Sequence, residues 1–219
     1  MNYDFQTILN QIILPAMNQT FLMVIATAIL STVLGFVLAI AVLITDVDGL
    51  HPIPWLNRIL STFINVVRSF PFIILMVSII PLTRLIAGTS IGTRAAIVPL
   101  TFAATPFMAR LFFNNFKEVT PNLIEAAKSF GLSDMHIIRY VIIKESVPAL
   151  IQSITLAIIS ILSSSAMAGA IGGGGLGSVA MTYGYQNFND TIMYGTVVIL
   201  IVIVQIIQFI GDRIYNRMR

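Results

Sequence analysis

Between Asp4 and Asp46 the chain carries no charged residue, and its side chains there are mostly apolar. A helix that crosses a bilayer needs ~20 predominantly apolar residues, so this interval alone suffices for one crossing. The rest of the sequence makes the same demand: 57% of residues are hydrophobic and 10% charged, against roughly 25% charged in soluble globular domains. An integral membrane protein is expected. The first residues, Met1-Asn2-Tyr3-Asp4, lack the basic segment of a secretory signal, and the apolar run behind them is too long for a cleaved one. That run is therefore read as the first span.

Five spans are predicted, near 19–44, 58–80, 90–113, 146–169 and 191–212. Asp46, Asp48, Gly49, Pro52 and Pro54 mark an exposed turn after the first, and Trp55 suits the headgroup level. A short Pro81-to-Ser90 connection makes the second and third an antiparallel pair. The stretch from Ser146 to Asn189 is too long for one span, and the glycines at 172–175 and 177 divide it into a helix and a loop. The fold class is thus all-α, a polytopic membrane protein of about five transmembrane helices in a single domain, 1–219.

Lysines and arginines concentrate in cytoplasmic loops. With the polar interval at about 117–145 placed inside, Arg58, Arg110, Lys117, Lys128, Arg139, Lys144, Arg213, Arg217 and Arg219 lie on that side, nine of the twelve basic residues. Arg84 and Arg94 fall outside and Arg68 within a span. Five crossings then put the N-terminus outside and the C-terminus in the cytoplasm. The net charge of +3 reflects this topology rather than nucleic acid, for no basic cluster interleaved with aromatics occurs. The chain has no cysteine, and its two histidines, His51 and His136, are far apart in sequence without evident partners. Metal binding and catalysis find no support.

Within the polar interval, Thr120 is placed to cap a helix, Pro121 suits its first position, and Gly131 can adopt the left-handed conformation that ends it. One helix of about ten residues is predicted, carrying Glu125, Ala126 and Ala127. A fixed negative charge beside two small side chains suits close approach by another protein. These residues with Gly131 resemble the EAA motif of bacterial ABC importer permeases. Nine residues after the glycine, Val141 and Ile143 fill the motif's apolar slots, but Lys144 stands where proline is expected and Pro148 comes four residues late. The resemblance implies a coupling helix that docks on an ATP-hydrolysing subunit, present in two copies, and a second permease copy forming a homodimer. It further implies that ATP is held by the partner subunit, with no cofactor in this chain, and a location in the bacterial inner membrane among membrane lipids.

Gly172, Gly174 and Gly177 fit the spacing GxGxxG, yet a dinucleotide fingerprint needs a strand before it and a helix behind it in a βαβ unit. A spanning helix precedes this run instead. Gly172 and Gly177 also stand at P-loop spacing, but Ser178 occupies the place of the phosphate-binding lysine. No nucleotide site is expected. The stretch Ser165-Ala166-Met167-Ala168-Gly169-Ala170-Ile171, through the glycines to Tyr183-Gly184-Tyr185-Gln186, is similar to that of methionine-import permeases. So is the segment Arg68-Ser69-Phe70-Pro71-Phe72. This likeness implies methionine as substrate and a periplasmic or lipid-anchored methionine-binding protein as partner. A permease for another small amino acid or an osmolyte, or a stand-alone channel or secondary transporter, remains open from the sequence.

Small residues from Ser163 to Gly169 suit close helix packing in a membrane. Met167 is the one long side chain among them, a candidate gate where two copies meet, with gap-filling as the ordinary alternative. Arg68 is costly at mid-span, and neighbouring Ser69 and Pro71 suit an interrupted helix. The sequence assigns it no substrate contact. No intramembrane carboxylate series appears, which argues against proton or ion coupling.

Overall fold

The structure, a computed structural model, describes Gln6 and residues 8–218. Met1 to Asp4 and Arg219, used above for orientation, lie outside the described residues. Helix α1 (Leu14–Thr45) follows a π-helical turn at Ile8–Ile13 and so begins earlier than the predicted residue 19. Pro15 stands where the π-helical turn passes into α1. The helix ends in a turn closed by Gly49 N–H donating to Asp46 O at 2.9 Å.

The second crossing is broken rather than continuous over 58–80. Helix α2 (Pro54–Ser69) and α3 (Phe72–Ser78) meet at 107°. Pro71 forces the residue before it into extended backbone, and Phe70 indeed lies at φ −76°, ψ 132°. The predicted Pro81-to-Ser90 connection is largely helical, because Pro81 starts α4 (Ile80–Ala87) and Gly88 ends it at φ 73°.

Helix α5 (Thr93–Lys117) precedes the short α6 (Pro121–Ser129). The next apolar element starts well before residue 146. A helical rod starts at Asp134, built of a turn at Asp134–His136, a π-helical turn at Ile137–Ile142 and helix α7 (Ile143–Ala168), and it breaks at Ile171 and Gly172, whose backbone is not helical (φ −116° and 97°). The rod passes through Lys144 without a break. Pro148 lies inside α7 instead of introducing it. Beyond the rod come the short α8 (Gly175–Val179), a π-helical stretch Ala180–Gln186, and α9 (Asp190–Met218).

Helices α1 and α5 form the central seam. A Cβ on Gly35 would lie 2.6 Å from Met108 Cβ, so glycine is what allows this approach. Phe36 meets Phe112 and Phe116 edge-on, with ring centroids 6.1 and 5.8 Å apart. At one end of the bundle, Leu43, Phe112, Phe116, Ala127, Ile137 and Ile142 share a core. Toward the other end, Ile13, Val24, Leu162, Leu176 and Ile192 share another. Lys117 Nζ lies 2.8 Å from Asp46 Oδ2, and His51 Nε2 2.7 Å from Asp134 Oδ2. The α1–α2 loop, the end of α5 and the start of the rod therefore occupy one end. Along α1, Leu22, Ile25, Ile29, Val33 and Val37 are exposed at helical spacing.

Candidate functional site

Two places bring the sequence-predicted residues together. The first is α6. Thr120 precedes it, but its side chain makes no capping hydrogen bond; its carbonyl accepts from Leu123 N–H instead, at 3.0 Å. The C-terminus follows the expectation. Gly131 stands at φ 74°, Leu132 N–H donates to Ala127 O at 3.2 Å and Gly131 N–H to Lys128 O at 2.9 Å. That pair of bonds is the Schellman closure, and it fixes where α6 stops.

The two alanines of the motif part company. Successive helical residues point ~100° apart, and here Ala127 is 7% exposed inside the shared core while Glu125 and Ala126 face outward. The sequence reading gave both alanines to a partner's surface; of the two, only Ala126 is exposed in this chain. At the end of α6 and just beyond it, Phe130 is 84% and Met135 71% exposed. Both histidines find partners that the sequence did not reveal. His51 meets Asp134, while His136 Nδ1 lies 2.7 Å from Ser133 Oγ and its ring stacks on Tyr140.

The glycine run is not the open loop that was predicted. It turns back into the bundle, where Leu176 is fully buried. Gly172 and Gly174 take positive φ at the turn, which side chains with a Cβ rarely adopt. The amides at the start of α8 are already used: Gly175 N–H donates to Gln19 Oε1 at 2.8 Å and Leu176 N–H to Thr20 Oγ1 at 2.9 Å. A Cβ on Gly169 would come within 2.6 Å of Ser178 N. The glycines thus serve close backbone packing, and two amides of the run are already taken by α1 side chains. Among the described residues, no cluster of histidine and acidic side chains is arranged to hold a metal ion.

The second place is the outward face of α7. Ser165, Ala168 and Gly169 turn inward and are buried, whereas Ser160, Ser163 and Met167 are exposed on one stripe. Met167, 47% exposed, borders an open cavity of about 630 Å³ with Ile73, Ser163 and Gln205. Nearby, Arg68 lines a smaller cavity of about 310 Å³ with Phe70, Phe107, Ser160 and Ser164. Sequence reasoning missed Gln19, Thr20, Ser160 and the inward turn of the glycines. The usable signal was the presence of amide and hydroxyl groups within otherwise apolar spans.

Among the described residues, four long apolar helices and one bent pair define a polytopic membrane protein. The chain belongs to the family of binding-protein-dependent transport system inner membrane components, whose model matches residues 40–219. It is 47% identical over 208 residues to the probable D-methionine transport system permease protein MetI of Vibrio cholerae, covering 95% of this chain and 92% of that one. It is 43% identical over 160 residues to the methionine import system permease protein MetP of Bacillus subtilis, with 73% and 72% covered. A solved chain from inward-facing conformations of the MetNI methionine ABC transporter superimposes with a TM-score of 0.95 at 37% identity, over 99% of this chain and all of that one.

Proposed function

We propose that this chain is one of two identical permease halves of an ATP-driven importer that carries methionine inward across the bacterial inner membrane by alternating access. The observation that carries the reading is the arrangement of α6. Its outer face, Glu125 and Ala126, is free for a partner, while Ala127 is rooted among the ends of α1, α5 and the rod. Gly131 sets the length of this docking helix. The coupling region, about 117–145, meets one of two ATPase subunits, which bind and hydrolyse the ATP; the permease itself performs no catalysis. All of residues 1–219 act as a single permease domain, with the N-terminus outside and the C-terminus in the cytoplasm. The exposed stripe carrying Met167 meets its copy across the homodimer axis, and the thioether forms an adaptable apolar gate there. A periplasmic or lipid-anchored methionine-binding protein delivers substrate to the outer face. The named relatives support methionine as that substrate.

The test is reconstitution in liposomes with the ATPase and binding protein, followed by uptake of labelled methionine against other amino acids. Uptake that depends on ATP and is competed by methionine is expected; uptake without the ATPase overturns the proposal. Glu125→Arg in the same system is expected to insert normally while hydrolysis and uptake separate.

A further inference from the structure

Arg68 has a physical problem that nothing in the chain solves. It lies in the last turn of α2, ten residues beyond Arg58, or about 15 Å along the helix at 1.5 Å per residue. That is about half of a ~30 Å hydrocarbon core. Its cavity is lined by Ala103 and Phe107 from the middle of α5 and by Ser160 and Ser164 from α7, so three crossings place it within the bundle's depth. Arg68 is exposed on the single chain, and a charge at membrane depth needs a counter-charge or water. Yet the nine acidic residues, Asp4, Asp46, Asp48, Glu118, Glu125, Asp134, Glu145, Asp190 and Asp212, all stand before, between or at the ends of the apolar crossings. Among the described ion pairs none involves Arg68. A second copy of the chain would add a second arginine and still no carboxylate.

The surroundings say what kind of anion would fit. Phe70, Phe72 and Phe107 supply apolar walls. Ser163 and Ser165 spend their hydroxyls on their own helix, donating to Ile159 O and Leu162 O, whereas none of the described hydrogen bonds uses Ser160 or Ser164. The backbone at Ser69–Pro71 is broken at this level, and irregular backbone at membrane depth is tolerated where it lines protein or a water-filled cavity. A guanidinium with two free hydroxyls and aromatic walls matches a small solute with one carboxylate and an apolar side chain.

We propose that Arg68 binds the α-carboxylate of the amino acid during translocation, with Ser160 and Ser164 as neighbouring hydrogen-bond partners and the phenylalanines facing its side chain. This rests on the permease reading above and adds a specific station inside the path. The test uses the full reconstituted complex, held with ATP and vanadate and supplied with binding protein loaded with photo-methionine, a diazirine analogue. Cross-links are mapped by mass spectrometry. Labelling is expected on α5 and α7 peptides containing Phe107 and Ser160–Ser164. Excess methionine should compete it, and methionine amide, which lacks the carboxylate, should not once both are matched for occupancy of the binding protein. Arg68→Gln is expected to reduce labelling at least tenfold, and Arg68→Lys to restore part of it. Equal competition by the amide overturns the proposal and needs no variant. Undiminished labelling in a correctly inserted Arg68→Gln protein, or no labelling of these peptides while ATP-driven uptake proceeds, also overturns it. That last result leaves the transport reading standing, so the two fail separately.

Discussion

His51 Nε2 lies 2.7 Å from Asp134 Oδ2, joining the loop behind α1 to the first turn of the rod behind α6. The two side chains are 67% and 42% exposed, so solvent screens the pair and its stabilising effect is about 0–1 kcal/mol. His51→Ala is expected to leave thermal unfolding in detergent almost unchanged. A loss of several kcal/mol would show that the contact organises the whole end of the bundle.

Ala126 and Ala127 offer a sharper contrast. Leucine at 127 must be forced into the core around Phe116 and Ile137, and overpacking of this kind costs about 1–3 kcal/mol. Leucine at 126 projects outward and should leave stability intact while weakening assembly with the ATPase. Thermal unfolding and co-purification measure the two effects; equal behaviour of both variants would contradict the division of faces.

Gln19 holds the start of α8 through Gly175 N–H. Gln19→Leu leaves that amide without its partner; the bond is only part-buried, so the expected cost is about 1 kcal/mol, that of an ordinary hydrogen bond. Hydrogen exchange at Gly175 and Leu176 is expected to quicken. Unchanged protection would mean that the hydrogen bond contributes little to holding the glycines inside.

Met167→Ala removes the long side chain from an exposed stripe rather than from a core. Stability should change little, and passive leakage of methionine through reconstituted liposomes should rise. Unchanged leakage would favour simple gap-filling at this position.

Much of this architecture is legible locally. A charge-free interval must cross the membrane, and Pro71 must extend Phe70, so α1 and the break in the second crossing follow from neighbouring residues. Gly131 likewise announces its left-handed turn. What escapes local reading depends on distant partners. The glycines turn inward because Gln19 and Thr20, 156 residues earlier in each bonded pair, receive the α8 amides. Two adjacent alanines look equivalent until packing buries one of them. The serines of α7 are similarly uniform in sequence, and only the helix's neighbours separate Ser165 from Ser160.

Since Ala127 sits in the same apolar cluster as Leu43, Phe112 and Ile142, α6 is packed directly onto the ends of α1, α5 and the rod. On the permease reading proposed above, a push on its outer face would act on three crossings together. Its leverage is lost only if that cluster softens, so a cavity-forming change as remote as Phe112→Ala should slacken transmission even with every docking residue in place.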